Sequence, residues 1–257
     1  MKDGKRNSLA LGLPPLPKTR DGLRQYADCL MRKYWHAVLF LGYLILMPQF
    51  ALLEKYVVPR YWISCSLDQA IPFLPVFVIP YVLWFPMIAV VLVALCFSDR
   101  GDFARTILLL YAGMALAMLI CLLFPHGQPL RPIVTENDIF SRMVRYTIYA
   151  NDTNTNTFPS IHVLNQLAIH IGLCKSKLFR DRKGWKRFSL VMTVLVCAST
   201  CFIKQHSILD VAGALLLEIP LYFLVFRVDW SRFVPVRWKE RARAWELRGR
   251  LSDSSEY

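Results

Sequence analysis

Six apolar runs, at about 36–53, 71–97, 104–124, 159–174, 188–204 and 206–228, dominate this chain of 257 residues. A stretch of about 20 mainly apolar residues is what a helix needs to cross a bilayer. The expected fold is therefore an all-α, polytopic membrane bundle of about six transmembrane helices. Composition agrees: 55% of the residues are hydrophobic and 19% charged, outside the range of soluble domains. The second run carries Pro72, Pro75, Pro80 and Pro86, so its first turns are expected to kink or lie at the interface. The fourth run is short, and its end runs toward the basic segment after Cys174.

Lysine and arginine orient the bundle. With six spans and both termini on one side, all but six of the 31 Lys and Arg fall on that side, the exceptions being Lys55, Arg60, Arg131, Arg142, Arg145 and Lys204. The positive-inside rule then makes both termini cytoplasmic. The net charge of +13 is accordingly read as the cytoplasmic face of a membrane protein, and no nucleic-acid partner is expected. The organisation expected is a basic N-terminal arm at 1–35, a membrane domain at 36–228 and a basic tail at 229–257. Pro14, Pro15 and Pro17 suggest a mobile arm, which lacks the apolar core of a cleaved leader. In the tail, Trp238, Ala242 and Trp245 recur at helical spacing among basic residues, the pattern of a helix lying on an anionic leaflet. The seven cysteines form no C-x-x-C pair, so neither a disulfide framework nor a zinc site is expected.

Two short segments break the apolar pattern: Phe158-Pro-Ser-Ile-His162 and Lys204-Gln-His-Ser-Ile-Leu-Asp210. Ionisable groups are costly at a membrane boundary, which points to chemistry there. With Arg131-Pro132 after the third run, both segments fall on the extracytoplasmic side of the expected topology. His206 and Asp210, four residues apart, share a face if the stretch is helical. Asp210 would then orient the imidazole and leave the other ring nitrogen of His206 free to attack phosphorus. His162 suits the general acid and base. Arg131 and Lys204 suit the phosphoryl oxygens, joined by Ser160 and by the free amides of a helix whose first turn holds Pro159. No cluster of carboxylates accompanies them beyond the loop acids Glu136, Asp138 and Asp152, so no metal and no cofactor are expected.

These residues resemble the type 2 phosphatidic acid phosphatase superfamily over about residues 36–228. Its pattern is a Lys seven residues before Arg-Pro, a Pro-Ser-Gly-His, and a Ser-Arg preceding His-x-x-x-Asp. Here stand Arg131-Pro132, Pro159-Ser-Ile-His162, and Ser199 with His206 and Asp210. Phe124 replaces the Lys, Ile161 the Gly and Thr200 the Arg, leaving Lys204 as the compensating charge. Phe-Pro-Ser-Ile-His and Lys-Gln-His are closer to the branch of inositol phosphorylceramide synthases and similar bacterial proteins. The resemblance implies a plasma-membrane enzyme acting on a lipid phosphate or phospholipid through phosphohistidine, as hydrolase or headgroup transferase.

Two other functions stay open. A transporter or proton relay would use polar groups spread through the membrane, and a degenerate relative would bind lipid headgroups without turnover. His126, five residues before Arg131, is within reach of the site, whereas His170 is expected to be structural. Glu218 lies twelve residues beyond His206, about 18 Å deeper along a helix, and Arg142 and Arg145 are available to a headgroup.

Overall fold

The computed structural model describes residues 19–233. The expected helix around Trp238, Ala242 and Trp245 and the prolines of the N-terminal arm lie outside them. Two compact units divide the chain. The terminal one, residues 1–37 and 228–257, contains helix α1 (Arg20–Tyr34), so part of the expected arm is helical.

The second unit, residues 38–227, is a helical bundle. Its long helices are α2 (Leu41–Tyr56), α4 (Val78–Ser98), α5 (Arg100–Leu123), α7 (Ile161–Lys175), α8 (Lys183–Phe202) and α9 (Ile208–Phe226). Two short helices, α3 (Ser66–Ala70) and α6 (Ile139–Met143), lie in the loops. A two-residue parallel pair, β1 (Tyr61–Trp62) with β2 (His126–Gly127), ties the α2–α3 and α5–α6 segments together. Among the described residues five helices are long and apolar enough to cross a membrane: Tyr26–Tyr56, Pro75–Ser98, Arg100–Leu123, Lys183–Phe202 and Ile208–Phe226.

The run expected to span at 159–174 differs. It forms α7, 15 residues long, so about 22 Å at 1.5 Å per residue, shorter than the roughly 30 Å hydrocarbon core. Burial explains its polarity, because α7 packs against α4, α5, α8 and α9. Val163, Leu164, Asn165, Gln166, Ala168 and Ile169 are all buried there. The Gln166 amide donates to Thr193 Oγ1 at 3.1 Å, and the His170 ring pairs with Ser189 Oγ at 3.0 Å. His170 thus lies between α7 and α8.

α4 buries one stripe, whereas α2 has no fully buried residue. On α4, Val78, Tyr81, Trp84, Met87, Val91 and Leu95 recur every three or four residues and face inward. Leu83, Phe85, Val90, Val93 and Phe97 point outward and are exposed. The proline-rich start of the second run behaves as its composition implies: a 3-10 turn at Pro75–Phe77 precedes α4, and Pro86 lies within the helix. Asp99 caps α5 by accepting from the amides of Gly101 and Asp102 at 2.9 and 3.0 Å.

Close approach of α5 to α7 depends on Gly172, where an added Cβ would overlap the Thr106 side chain. Thr106 is β-branched and its hydroxyl donates to Asp102 O at 2.7 Å, so it has little freedom to yield. Gly172→Ala is expected to cost about 1–3 kcal/mol through overpacking. Its thermal unfolding in detergent, measured beside the parent chain, checks this.

Candidate active site

The start of α9 organises the site. Ser207 caps the helix, accepting the Leu209 amide at 3.1 Å, while Asp210 Oδ2 accepts the Ser207 amide at 3.0 Å. The same Asp210 oxygen meets His206 Nδ1 at 3.2 Å. The two residues do pair, but not as neighbours on a helix face. His206 precedes the cap, and the turn of chain before α9 folds its ring back over the third helical residue. Asp210 is fully buried and His206 nearly so.

That turn, 203–206, is fastened on every side. Thr200 O accepts the amides of Gln205 and His206 at 2.9 and 3.0 Å. Tyr149 Oη donates to Ile203 O at 2.6 Å, and Gln128 Nε2 to Lys204 O at 3.0 Å. Lys204 takes a left-handed backbone, φ 54°. Asp68, from α3, accepts Ser207 Oγ at 2.7 Å and the Ile208 amide at 2.8 Å, serving as a second cap for α9.

Lys204 is not brought to the phosphate position expected of it. Its ammonium is buried and donates to the carbonyls of Asp68, at 2.6 Å, and Ile71. The left-handed turn sends the side chain behind His206, where it closes the end of α3. Ser160 is the N-cap of α7: its hydroxyl accepts the Val163 amide at 3.4 Å, and its own amide donates to Asp210 O at 3.2 Å. Pro159 therefore stands just outside the helix and not in its first turn, with the Phe158 ring against Gly213 of α9.

His162, second residue of α7, meets His206: Nδ1 lies 3.2 Å from His206 Nε2, and the rings are edge-on with centroids 5.4 Å apart. On its other side His162 Nε2 is 2.7 Å from Tyr81 Oη. The ring packs against Tyr81 and Trp84, each centroid 4.7 Å away. Tyr81 Oη reaches Asp152 Oδ2 at 3.4 Å, and Gln205 Nε2 donates to that oxygen. Arg131 Nη2 donates to Gln205 Oε1 at 2.7 Å and to Thr153 O, with the guanidinium 4.5 Å above the Tyr149 ring. Burial lowers the Arg131 pKa, with Asp152 the main opposing influence. Burial, followed by the charge of Glu54, pushes Asp152 up to about 6.

Arg131, His162, His206 and Asp210 thus form one connected cluster with Tyr81, Asp152 and Gln205. Tyr81 is indistinguishable in sequence from any aromatic of an apolar run. Asp152 reads as one more loop acid, and Asp68 as an interface residue between spans. His126 lies close by but is structural: its Nδ1 donates to Phe124 O at 2.5 Å, and its Nε2 accepts the Phe158 amide at 2.6 Å. Arg145 donates to Val134 O and Asn137 Oδ1, at 2.9 and 3.2 Å, and Arg142 is exposed. Glu218 sits apart from the cluster, buried and without a hydrogen-bond partner among the described residues. It lines a cavity of about 350 Å³ with Leu167, Ile171, Leu215, Ile219 and Tyr222.

Burial pushes the Asp68 carboxyl up, but donors from Ile208, Ser207 and Cys65 outweigh it and hold the group below the usual carboxylate range. A lowered folded pKa contributes stability above the unfolded value and loses it as pH falls through the folded one. Asp68→Ala is expected to destabilise the chain by about 1–3 kcal/mol through buried donors left unpaired. Unfolding measured from pH 7 down to 3 should find the variant's deficit shrinking with acidity. No family model, curated protein or solved structure matches the chain.

Proposed function

We propose that the chain is an integral membrane enzyme that breaks a lipid phosphate ester through a phosphohistidine at His206. The observation that carries the reading is the pair of contacts on one imidazole, Asp210 at Nδ1 and His162 across Nε2. Asp210 holds the proton of His206 on Nδ1, so the Nε2 lone pair faces the place where phosphorus must arrive. An entering phosphoryl group parts the two rings and takes the position between them. His206 Nε2 then attacks in line while His162 Nδ1 protonates the departing oxygen. In the second half-reaction His162 takes a proton from the water or alcohol that removes the phosphoryl group.

Charge on the transferred group is met by Arg131 and by the first-turn amides of α7, Ile161 and His162, which have no carbonyl four residues back within the helix. Phosphoryl transfer is mainly positioning and charge stabilisation, so this donor set suits the reaction. The resemblance to type 2 phosphatidic acid phosphatases, and to the inositol phosphorylceramide synthase branch in particular, favours the same roles. Phe124 and Thr200 lack the cations of the family pattern, and Lys204 does not replace them because its ammonium is bound behind the turn. A site with fewer phosphate-binding cations suits a phosphodiester, with one anionic oxygen, better than a monoester with two. Headgroup transfer is therefore the preferred form of the reaction, with hydrolysis the alternative.

The proposal includes six spans, α7 being the short central one, with cytoplasmic termini and a site at the extracytoplasmic face of the plasma membrane. Transport is the less favoured function, because the titratable groups in contact with one another gather at one end of the bundle and Glu218 stands apart.

Purified protein incubated with a panel of labelled phospholipids, with and without alcohol acceptors, tests this. A new headgroup lipid is expected, or, if the enzyme is a hydrolase, a labelled water-soluble headgroup phosphate from a phosphodiester and free phosphate from a phosphomonoester lipid. His206→Ala should abolish product, and His162→Ala should lower the rate on the order of 10²–10⁴-fold. Undiminished turnover by His206→Ala contradicts the mechanism.

A further inference from the structure

We propose that Tyr81 and Asp152 form a proton relay with His162, in which Asp152 replaces the proton that His162 gives to the leaving group and regains one in the second half-reaction. The inference rests on the phosphohistidine reading and adds two positioning residues that act through His162. Its basis is the unbroken contact path His206 Nε2, His162 Nδ1, His162 Nε2, Tyr81 Oη, Asp152 Oδ2, with successive gaps of 3.2, 2.7 and 3.4 Å across the three hydrogen-bonded pairs. The two nitrogens of His162 thus face different tasks, one toward the reacting group and one toward the relay.

The cycle closes without charging His162. At the start Asp152 is a carboxylic acid donating to Tyr81, Tyr81 donates to His162 Nε2, and His162 carries its proton on Nδ1. As the His206 Nε2–phosphorus bond forms, the bond from phosphorus to the leaving oxygen breaks and its electron pair goes to that oxygen. The oxygen takes the Nδ1 proton of His162. Nε2 takes the hydroxyl proton of Tyr81, and Tyr81 takes the carboxyl proton of Asp152. His162 remains neutral with its proton moved to Nε2, and Asp152 becomes a carboxylate. In the second half-reaction water or alcohol gives its proton to Nδ1 as its oxygen bonds phosphorus. The phosphorus–nitrogen bond breaks with its pair returning to His206, and the Nε2 proton of His162 passes through Tyr81 back to Asp152.

Asp152 is suited to this exchange by its surroundings. Tyr81 of α4 and Gln205 of the turn before α9 contact its Oδ2, while Glu54 of α2, Arg131 of the segment after β2, and His206 act on it through their charges. Burial and Glu54 raise the carboxyl to about 6, against the opposing effect of His206 and Arg131, so the group gains and loses a proton near neutrality.

The relay makes the tautomer of His162 follow the protonation of Asp152, even without substrate. Full-length protein labelled with ¹⁵N-histidine, in lipid nanodiscs, gives ring-nitrogen spectra of five histidines, with His162 assigned by its absence in His162→Gln. Between pH 5 and 8 the proton of His162 should move from Nδ1 to Nε2, with a midpoint near that of Asp152. Asp152→Asn should remove the switch, and Tyr81→Phe should uncouple it from pH. A single tautomer across the range in the parent protein overturns the relay, as does a switch that survives in Asp152→Asn. The spectra need no substrate, so a missing switch counts against the relay alone, whereas undiminished turnover by His206→Ala counts against phosphohistidine chemistry.

Discussion

One carboxylate oxygen, Asp210 Oδ2, joins the fold to the site. It accepts the Ser207 amide that begins α9 and meets the Nδ1 of His206. Because both partners converge on a single oxygen, the helix cannot start elsewhere without moving the imidazole. A side chain that caps a helix is fixed in place by several kinds of energy at once, and the ring it orients inherits that rigidity. Asp68 adds a second restraint from outside the helix, through Ser207 and Ile208. The Asp210 backbone adds a third, by accepting the Ser160 amide and so linking the start of α9 to the start of α7.

The central position of α7 makes that link productive. A helix wrapped by four others can be short and can carry Asn165, Gln166 and His170 inside, since its polar groups face protein and not lipid. Its first turn then sits among the ends of α4 and α9, with His162 between Tyr81, Trp84 and His206. The irregular backbone around it, residues 149–160 and 203–207, is held by side-chain bonds from Gln128, Tyr149, Arg131 and Glu54. Rigid loops on a rigid bundle suit chemistry in which positioning carries most of the rate.

Much of the helical layout is legible from hydropathy, because lipid-facing helices must be apolar over their length. The boundaries of α5 and α9 follow their apolar runs closely, whereas α4 begins later than its run, after the proline-rich start, and α8 begins earlier, in the basic segment. His162, His206 and Asp210 are legible because titratable residues at the ends of apolar runs are costly to place there without a partner. Where the side chains of Lys204 and Ser160 go is decided locally. Sequence spacing marks which residues are near a site, but a left-handed turn at Lys204 and a cap at Ser160 decide where their side chains go. Tyr81, Asp152 and Asp68 are illegible because their contacts arise between segments some 70 to 140 residues apart.

The central claim is that the His206 nitrogen facing His162 becomes bonded to phosphorus. The most direct measurement is to quench the protein during turnover of a phospholipid under alkaline conditions, where phosphohistidine survives, and to map the modification by peptide mass spectrometry. The account predicts a phosphoryl or phospho-headgroup adduct on the peptide carrying His206, and its loss in His206→Ala. Turnover with no adduct on that residue, or with the adduct on a serine, cysteine or carboxylate elsewhere, would contradict it.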